Sequence, residues 1–430
     1  MAKDGVDSAW RTLFEQYNIL EEINMNGYFK ITANQIKKVK EPRLMTKFDE
    51  FSQMPRVLRD HGISVISDSR KSYVLGRFAL FEPVSYKNQN IRPVETLCLE
   101  TLKFENLYSE SSSILFAFNS NILKDAFGTE DIAFTTYGRM GAGSFSFDVD
   151  LINADRTPTG VKKRIEVNKP QIEIDGAFET EDSFFIVEAK NRFVEDINLR
   201  QVYYPYKYWS SQIDKKVVPV FLVYSDKSFY LYVCSFENPD DINSLKIEKS
   251  FKFASNGEPI TMRDVVSIFE NITPSSSIHS DIFPQADRME KIIDLLNLLD
   301  SNEHTTKEDI TNYFEFDPRQ TDYYLNAAAF IGMVQIVKRK GFGLSENGKE
   351  TMKKQMRDRN LDIIRAILQD EVYYQSFDYL LKNNVLPDKE YIAELIRKHY
   401  PPKKNGDQTP GRRSQTVISW INWIIDLTNP

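Results

Sequence analysis

Cysteine is nearly absent from this chain of 430 residues: Cys98 and Cys234 are its two, far apart. That argues against a disulfide framework and a thiolate zinc site, and it fits a reducing cytoplasm, the expected location. Histidine is scarce as well. His61, His279, His304 and His399 are scattered, which argues against a zinc centre or a catalytic histidine base. Any catalytic metal is then left with hard oxygen ligands, which points to Mg²⁺. No apolar run approaches the roughly 20 residues of a membrane span. The N-terminus, MAKDGVDSAWRTLFEQYNIL, lacks the apolar stretch of a signal peptide. Low-complexity tracts are missing, and neither charge sign dominates: 62 acids face 55 bases, for a net charge of −7. That balance does not suggest a nucleic-acid binder, but net charge speaks to solubility more than to local surfaces.

What is present is ample core material, 41% hydrophobic with 13% aromatic residues, and a length that suits roughly two to four domains. Basic residues cluster in three places: Lys37, Lys38, Lys40, Arg43 and Lys47; Lys162, Lys163, Arg164 and Lys169; and Lys338, Arg339 and Lys340. Each is as readily a solvated face as a contact surface.

Residues 1–110 read as an α+β region. SAWRTLFEQYNILEEI has helical spacing, and ISVISDSRKSYVLGRFALFEPV reads as two strands around a polar turn at Asp68–Lys71. Residues 111–245 read as a sheet with helices. SSILFAFNS is expected as a strand and NILKDAFG as a short helix closed by Gly128. A glycine-rich turn feeds an alternating strand. QIEID and FFIVEAK follow as two strands, VEDINLRQVYYPYKYWSSQI as a helix, and VVPVFLVYS and SFYLYVCSF as closing strands. Residues 246–286 are expected as a connector with one short helix and a loop-rich linker, TPSSSIHSDIFPQAD.

In residues 287–352 a helix over DRMEKIIDLLNLLD precedes a capping box, Thr305 to Glu308. Asp317–Pro318 then opens a third helix, and a hairpin follows. Three helices and a basic-tipped hairpin predict a winged helix. Residues 353–430 read as a second helical or winged-helix-like domain, whose last helix turns Val417, Ile421 and Ile424 inward.

One stretch, QIEIDGAFETEDSFFIVEAKN at 171–191, carries chemistry. Its strands are apolar apart from Glu173, Asp175, Glu188 and Lys190, and charges rarely enter such strands unless they pair, bind metal or react. Alternate side chains share a face. Glu173 and Asp175 therefore fall on one side of their strand, and Glu188 and Lys190 on one side of theirs, opposite Phe185, Val187 and Ala189. The eight-residue connection GAFETEDS makes a hairpin the default, with Asp175, Glu188 and Lys190 at one edge. Two carboxylates and a main-chain carbonyl, that of Ala189, suit Mg²⁺, and a lysine beside them suits a phosphorane's growing charge. A surface hairpin with ordinary salt bridges is the plainer possibility.

These residues resemble the PD-(D/E)XK nuclease superfamily, in particular type II restriction endonucleases. The likeness lies in EID at 173–175 and VEAK at 187–190. GRMGAGSFSF at 138–147 and KEPRLMTKFDEF at 40–51 are similar to segments of one restriction-enzyme family with C-terminal winged helices. It is strongest from about residue 30 to 215, and Ile174 stands where the superfamily name has proline. The resemblance implies an α/β mixed-sheet nuclease core and Mg²⁺-dependent, sequence-specific cutting of double-stranded DNA to leave 5′-phosphates. It implies Asp175 and Glu188 as metal ligands, Lys190 as the catalytic lysine, Glu173 as an auxiliary acid and Gln201 near the phosphate. A cognate DNA methyltransferase would be the functional partner, not necessarily bound, and a homodimer would predict a palindromic site.

Expected DNA contacts are Lys38, Arg43 and Lys47 in the N-terminal stretch, and Arg139 and Ser144 in the glycine-rich turn. Arg319, Gln320, Tyr323 and Asn326 lie on the third helix of the winged helix, Lys338, Arg339 and Lys340 at its wing. Arg412, Arg413 and Gln415 open the last helix. A repair or modification-dependent nuclease, or a DNA-binding regulator with an inactive nuclease-like domain, remains open.

Overall fold

The computed structural model describes residues 4–87, 91–94, 97, 99–104, 107, 109–254, 259–276, 282–302, 304–401 and 409–428. Cys98, His279 and most of the polar loop before the last helix lie outside the described residues. The chain forms two compact units, residues 1–255 and 256–430.

The first unit opens with helices α1 (Asp4–Tyr17) and α2 (Ile19–Asn26), broken at Asn18 in a left-handed conformation. Trp10 and Leu13 of α1 are fully buried, and the Trp10 indole donates to the Met45 carbonyl at 2.9 Å. Strand β1 (Tyr28–Thr32), helices α3 (Ala33–Lys37), α4 (Pro42–Thr46) and α5 (Arg56–Asp60), and strands β2 (Ser64–Ser69) and β3 (Ser72–Gly76) follow. The three strands form an antiparallel sheet in the order β1-β3-β2, with the β2–β3 turn where the sequence expects it.

The remaining elements of this unit are β4 (Phe81–Pro83), β5 (Ile91–Pro93), α6 (Glu110–Asn119), α7 (Ile122–Phe127), β6 (Ala133–Gly141), β7 (Phe145–Ile152), β8 (Pro158–Val167), β9 (Gln171–Glu179), β10 (Ser183–Lys190), β11 (Asp196–Asn198), α8 (Leu199–Trp209), β12 (Lys216–Ser225), β13 (Ser228–Phe236) and β14 (Leu245–Ala254). A mixed sheet of seven strands runs β5-β14-β13-β12-β10-β9-β6. β9 and β10 pair antiparallel. β10 and β12 pair parallel, and α8 makes the crossover between them. Ile114 and Phe116 of α6 pack with Phe185, Val187 and Ala189 on one face. Val202, Tyr203 and Tyr204 of α8 pack with Phe221 and Val223 on the other.

Two expectations fail here. SSILFAFNS is not a strand but most of α6. Ser109 caps it, accepting from the Ser112 N–H at 3.1 Å. An unbroken apolar run looks alike in a buried strand and a buried helix, and this cap decides between them. Residues 246–254 are not connector but strand β14, whose first half is exposed, so its charges mask the alternation. Pro205 lies inside α8, whose start is set by the Asn198 side chain accepting from the Arg200 N–H.

The second unit holds α9 (Met262–Glu270), α10 (Met289–Ser301), α11 (Lys307–Phe314), α12 (Pro318–Phe330), β15 (Val334–Val337), β16 (Gly341–Leu344), α13 (Glu346–Met352), α14 (Met356–Leu368), α15 (Glu371–Asn383), α16 (Lys389–His399) and α17 (Thr409–Thr428). Asp317 caps α12 ahead of Pro318, as expected. The capping box of α11 is Thr306 with Asp309, one residue beyond Thr305 with Glu308. The main chain of Thr305 is instead spent on a bridge to Phe342 of β16. Lys338–Lys340 form the exposed tip of the β15–β16 hairpin, where Arg339 is left-handed with φ 65°. Beyond residue 352 the described residues form helices and no strand. Ile292 and Leu296 share one continuous core with Ile364, Tyr373 and Trp420, so residues 287–352 and 353–430 have a common interior, which also takes in Val265 and Phe269 of α9. Among the described residues no helix is long and apolar enough to cross a membrane.

Candidate active site

The β9–β10 ladder stops at Gly176 opposite Val187. On its other edge β9 takes one extra residue between its pairings with Gly138 and Thr136, so it bulges at Asp175–Gly176. A bulge re-aims a side chain and ends pairing. Here the Asp175 carboxylate replaces the lost main-chain partner and accepts the Ala189 N–H at 2.8 Å. Within a strand the N–H and C=O of one residue leave by the same edge, so the Ala189 carbonyl emerges on the Asp175 side. Glu173 and Asp175 both line the cleft, and the alternation breaks only beyond them: Ile174 and Ala177, three apart, share one apolar cluster with Phe184 and Ile186.

Glu188 and Lys190 are both buried, and Lys190 is 3% exposed. The Lys190 ammonium donates to Glu188 at 2.8 Å and to Asp49 at 3.2 Å, and Glu110 lies 3.7 Å away. Asp49 also accepts from the Gln201 amide at 3.2 Å. These groups floor a cleft of about 320 Å³, whose other lining residues include Arg43, Lys47, Arg139, Glu173 and Arg200.

Burial sets the electrostatics. It pushes the Asp175 carboxyl up to about 6, helped by the nearby charge of Glu110 and opposed by Lys190. It also raises Glu188, beyond what Lys190 offsets. Burial alone would raise Asp49 too, but the charges of Lys190, Arg192 and Lys47 outweigh it and hold Asp49 well below the usual carboxylate range. Burial works against the Lys190 ammonium, yet Asp49, Glu188, Glu110 and Asp175 together hold its pKa well above that of an ordinary lysine. Asp175 and Glu188 thus carry less positive compensation than their burial demands, which is the condition a hard cation relieves. Two carboxylates and the Ala189 carbonyl fit Mg²⁺. Among the described residues no three His, Cys, Asp or Glu side chains make a metal-holding group by themselves.

Asp175, Glu188, Lys190, Glu173, Gln201, Arg43, Lys47 and Arg139 all line this cleft. Glu173 is tied to Arg139 across the β6–β9 ladder at 3.0 Å. Lys38 and Ser144 do not line it: Lys38 is exposed past the end of α3, and the Ser144 hydroxyl donates to Asn168. Tyr204, on the same helix face as Gln201, reaches the cleft but is core, its hydroxyl spent on the Ser67 carbonyl. Of the second cluster, Lys162 and Arg164 are engaged with Asp150, Asp241 and Asp148, and Lys163 lies over the Tyr28 ring.

Sequence reading missed Asp49, Glu110 and Arg200. Asp49 had one signal, an acid set between aromatics in FDEF within a basic stretch. Glu110 was hidden because its helix was read as a strand.

In the second unit Arg319, Tyr323 and Asn326 fall on one face of α12; Arg319 and Tyr323 are exposed and Asn326 half-buried. Gln320 is instead turned back into the helix cap, its side-chain oxygen accepting from the Asp317 N–H at 3.0 Å. Lys338, Arg339 and Lys340 are exposed, as is Arg412; the Gln415 amide lies 3.4 Å from the Ser419 hydroxyl. The Arg413 guanidinium donates to the Gln285 side-chain oxygen at 3.2 Å.

No curated protein and no solved structure matches the chain. Three family models match it in tandem, each described as a domain of unknown function: DUF6996 over residues 7–75, DUF6997 over 76–254 and DUF7226 over 291–429.

Proposed function

We propose that the protein is a Mg²⁺-dependent DNA endonuclease of the restriction type, cutting phosphodiesters at a preferred sequence. The observation that carries this reading is the convergence of Asp175, Glu188, Lys190 and the Ala189 main chain at the open end of two paired strands. The antiparallel pair, the helix and the parallel strand after it also agree with the PD-(D/E)XK resemblance.

Asp175, Glu188 and the Ala189 carbonyl would hold the ion. Bound there, Mg²⁺ supplies an acidified water and neutralises phosphate oxygens. The chain's own groups do the rest. Arg43, Lys47, Arg139 and Arg200 line an acid-floored cleft, so a phosphate backbone meets cations there. The Lys190 ammonium, fixed between Glu188 and Asp49, faces the charge that grows on phosphorus-bound oxygens. Water oxygen bonds to phosphorus, the P–O3′ bond breaks, and a 5′-phosphate and a 3′-hydroxyl result.

Base reading falls to the second unit. Its three helices and basic-tipped hairpin have the winged-helix order, with Arg319, Tyr323 and Asn326 on the third helix and Lys338–Lys340 on the wing. The deciding experiment is digestion of a defined genome with Mg²⁺, followed by sequencing of the ends. Defined 5′-phosphate ends at a repeated sequence are expected. Intact DNA in both Mg²⁺ and Mn²⁺ would remove the reading.

A further inference from the structure

Resting on that nuclease reading, we propose that Asp49 is a positioning residue. It holds the Lys190 ammonium and the Gln201 amide so that Glu188 is left to the metal, which makes residues 42–53 part of the active site. Asp49 lies outside the catalytic sheet, 141 residues from Lys190 in sequence, yet its place is fixed from both sides. The Asn198 side chain donates to the Phe48 carbonyl at 2.8 Å. The Glu195 N–H donates to the Glu50 carboxylate at 3.1 Å, and the Phe51 N–H to Asp196 at 3.1 Å. The segment 48–51 is thereby fastened to the loop and strand that follow β10. The Asp49 main-chain N–H is itself held by the Gln53 side chain at 3.0 Å.

Both Asp49 oxygens are used, one on Lys190 and the other on Gln201. With Asp49 removed, Glu188 at 2.8 Å is left as the one close acid on the ammonium, since Glu110 stands at 3.7 Å. An ammonium held on Glu188 alone competes with a divalent ion for that carboxylate. Asp49 shares the ammonium and leaves Glu188 oxygen for the ion. The ammonium bonds to both acids at once, so Asp49 acts on Glu188 through Lys190 as a counter-charge and not as a ligand. The arrangement also joins the stretch matched by DUF6996 to the one matched by DUF6997 in a single site.

The test uses the full chain and reads Mn²⁺ binding by electron paramagnetic resonance beside steady-state cleavage. Outer-shell changes of this kind cost about 10–100-fold in metal affinity or activity. Asp49→Asn is expected to weaken Mn²⁺ binding and lower kcat within that range while KM for DNA holds. Asp49→Glu, which keeps the charge, is expected to recover most of the loss. Gln201→Ala, which frees one Asp49 oxygen without touching the buried ion pairs, should lower kcat several-fold at constant KM and stands in if Asp49→Asn does not fold. Wild-type Mn²⁺ affinity and kcat in Asp49→Asn or Gln201→Ala would overturn the assignment. So would an effect on KM alone, no recovery in Asp49→Glu, or complete loss of a bound Mn²⁺. Asp175→Asn separates the outcomes: if the wild type itself leaves DNA intact the nuclease reading fails, and if Asp175→Asn cleaves as wild type does the active site is not in this cleft. If Asp175→Asn is inactive while Asp49→Asn is unchanged, only the role of Asp49 falls.

Discussion

The floor of the cleft and the β7–β8 hairpin are made of the same residue types and use them in opposite ways. On the hairpin Lys162 stands 2.7 Å from Asp150 and 2.6 Å from Asp241, and Arg164 stands 3.2 Å from Asp148. Most of these side chains are a third to a half exposed. Water screens such pairs, and each contributes about 0–1 kcal/mol. In the cleft Lys190 is more deeply buried than any of them, and Asp49 and Glu188 beside it are buried too, so water screens their charges little. Asp175 is itself buried there, and its burial, with the charge of Glu110, pushes its carboxyl up to about 6 against the pull of Lys190. Charge density is therefore a poor marker of a site in this molecule, because the basic run at 162–169 is densest where its members are already engaged. Burial without full compensation is what distinguishes the cleft.

That contrast is sharpest in activity. On the nuclease reading proposed above, Lys190→Ala removes the ammonium that faces the phosphate and Asp175→Asn a carboxylate that holds the ion, and losses of this kind are on the order of 10²–10³ in kcat. Plasmid nicking with Mg²⁺ should show them, while Lys162→Ala cuts at the wild-type rate. Equal losses at Lys190 and Lys162 would break the distinction.

The next effect is on stability and reverses with the metal. The Asp175 carboxyl lies at about 6 in the fold against an ordinary value of 3.8. A folded pKa raised above the unfolded one favours the protonated fold. That contribution is fully present below about 3.8 and is lost as pH rises through about 6. Without metal, Asp175→Asn should therefore stabilise the first unit at pH 8 by about 1–3 kcal/mol, and by little at pH 4. If the site holds Mg²⁺ as proposed, saturating ion should return about 2–3 kcal/mol to the wild type through binding, and the sign of the difference turns. Thermal unfolding at the two pH values, with and without Mg²⁺, reads both. A destabilised Asp175→Asn at pH 8 without metal would mean that the carboxylate is not held against its preference.

A smaller effect separates the lining cations from the paired ones by salt. Each phosphate contact contributes about −0.9 to the slope of log K against log salt for duplex DNA. Arg43→Ala and Lys47→Ala, in exposed lining positions, should each flatten the slope by about one. Arg164→Ala, whose guanidinium already serves Asp148 and the Ser146 hydroxyl, should leave it unchanged in filter-binding titrations.

Much of this was legible in the chain because it is local. The alternation in FFIVEAK placed Phe185, Val187 and Ala189 opposite Glu188 and Lys190, and the interior agrees. The short β9–β10 connection gave the pairing. Asp317 followed by Pro318 gave the start of α12. What stayed hidden depends on distance or on a single hydrogen bond. Asp49 meets Lys190 across 141 residues, and no local period reports such a meeting. The bulge at Asp175 is invisible in an alternating string. Thr305 and Thr306 both suit a cap, and a bridge to Phe342 decides which is free to serve. Gln320 satisfies the base-reading pattern and the cap pattern equally, and the cap takes it.

The smallest expected effect bears on the plain side of the comparison. Lys162→Ala breaks two ion pairs at once, and its partners differ: Asp150 is well exposed, whereas the Asp241 side chain is 12% exposed. An exposed acid that loses its partner is taken up by water. A nearly buried one is not, although Asp241 keeps a second bond, accepting the Asn243 N–H at 3.0 Å. The expected cost in urea unfolding is about 1 kcal/mol, close to the upper end for a surface pair, and Asp150→Ala should cost less. If Lys162→Ala instead cost several kcal/mol, the hairpin would hold its charges as the cleft does. Burial of one partner would then be enough to make an ion pair structural, and the difference between the two regions would lie in compensation alone.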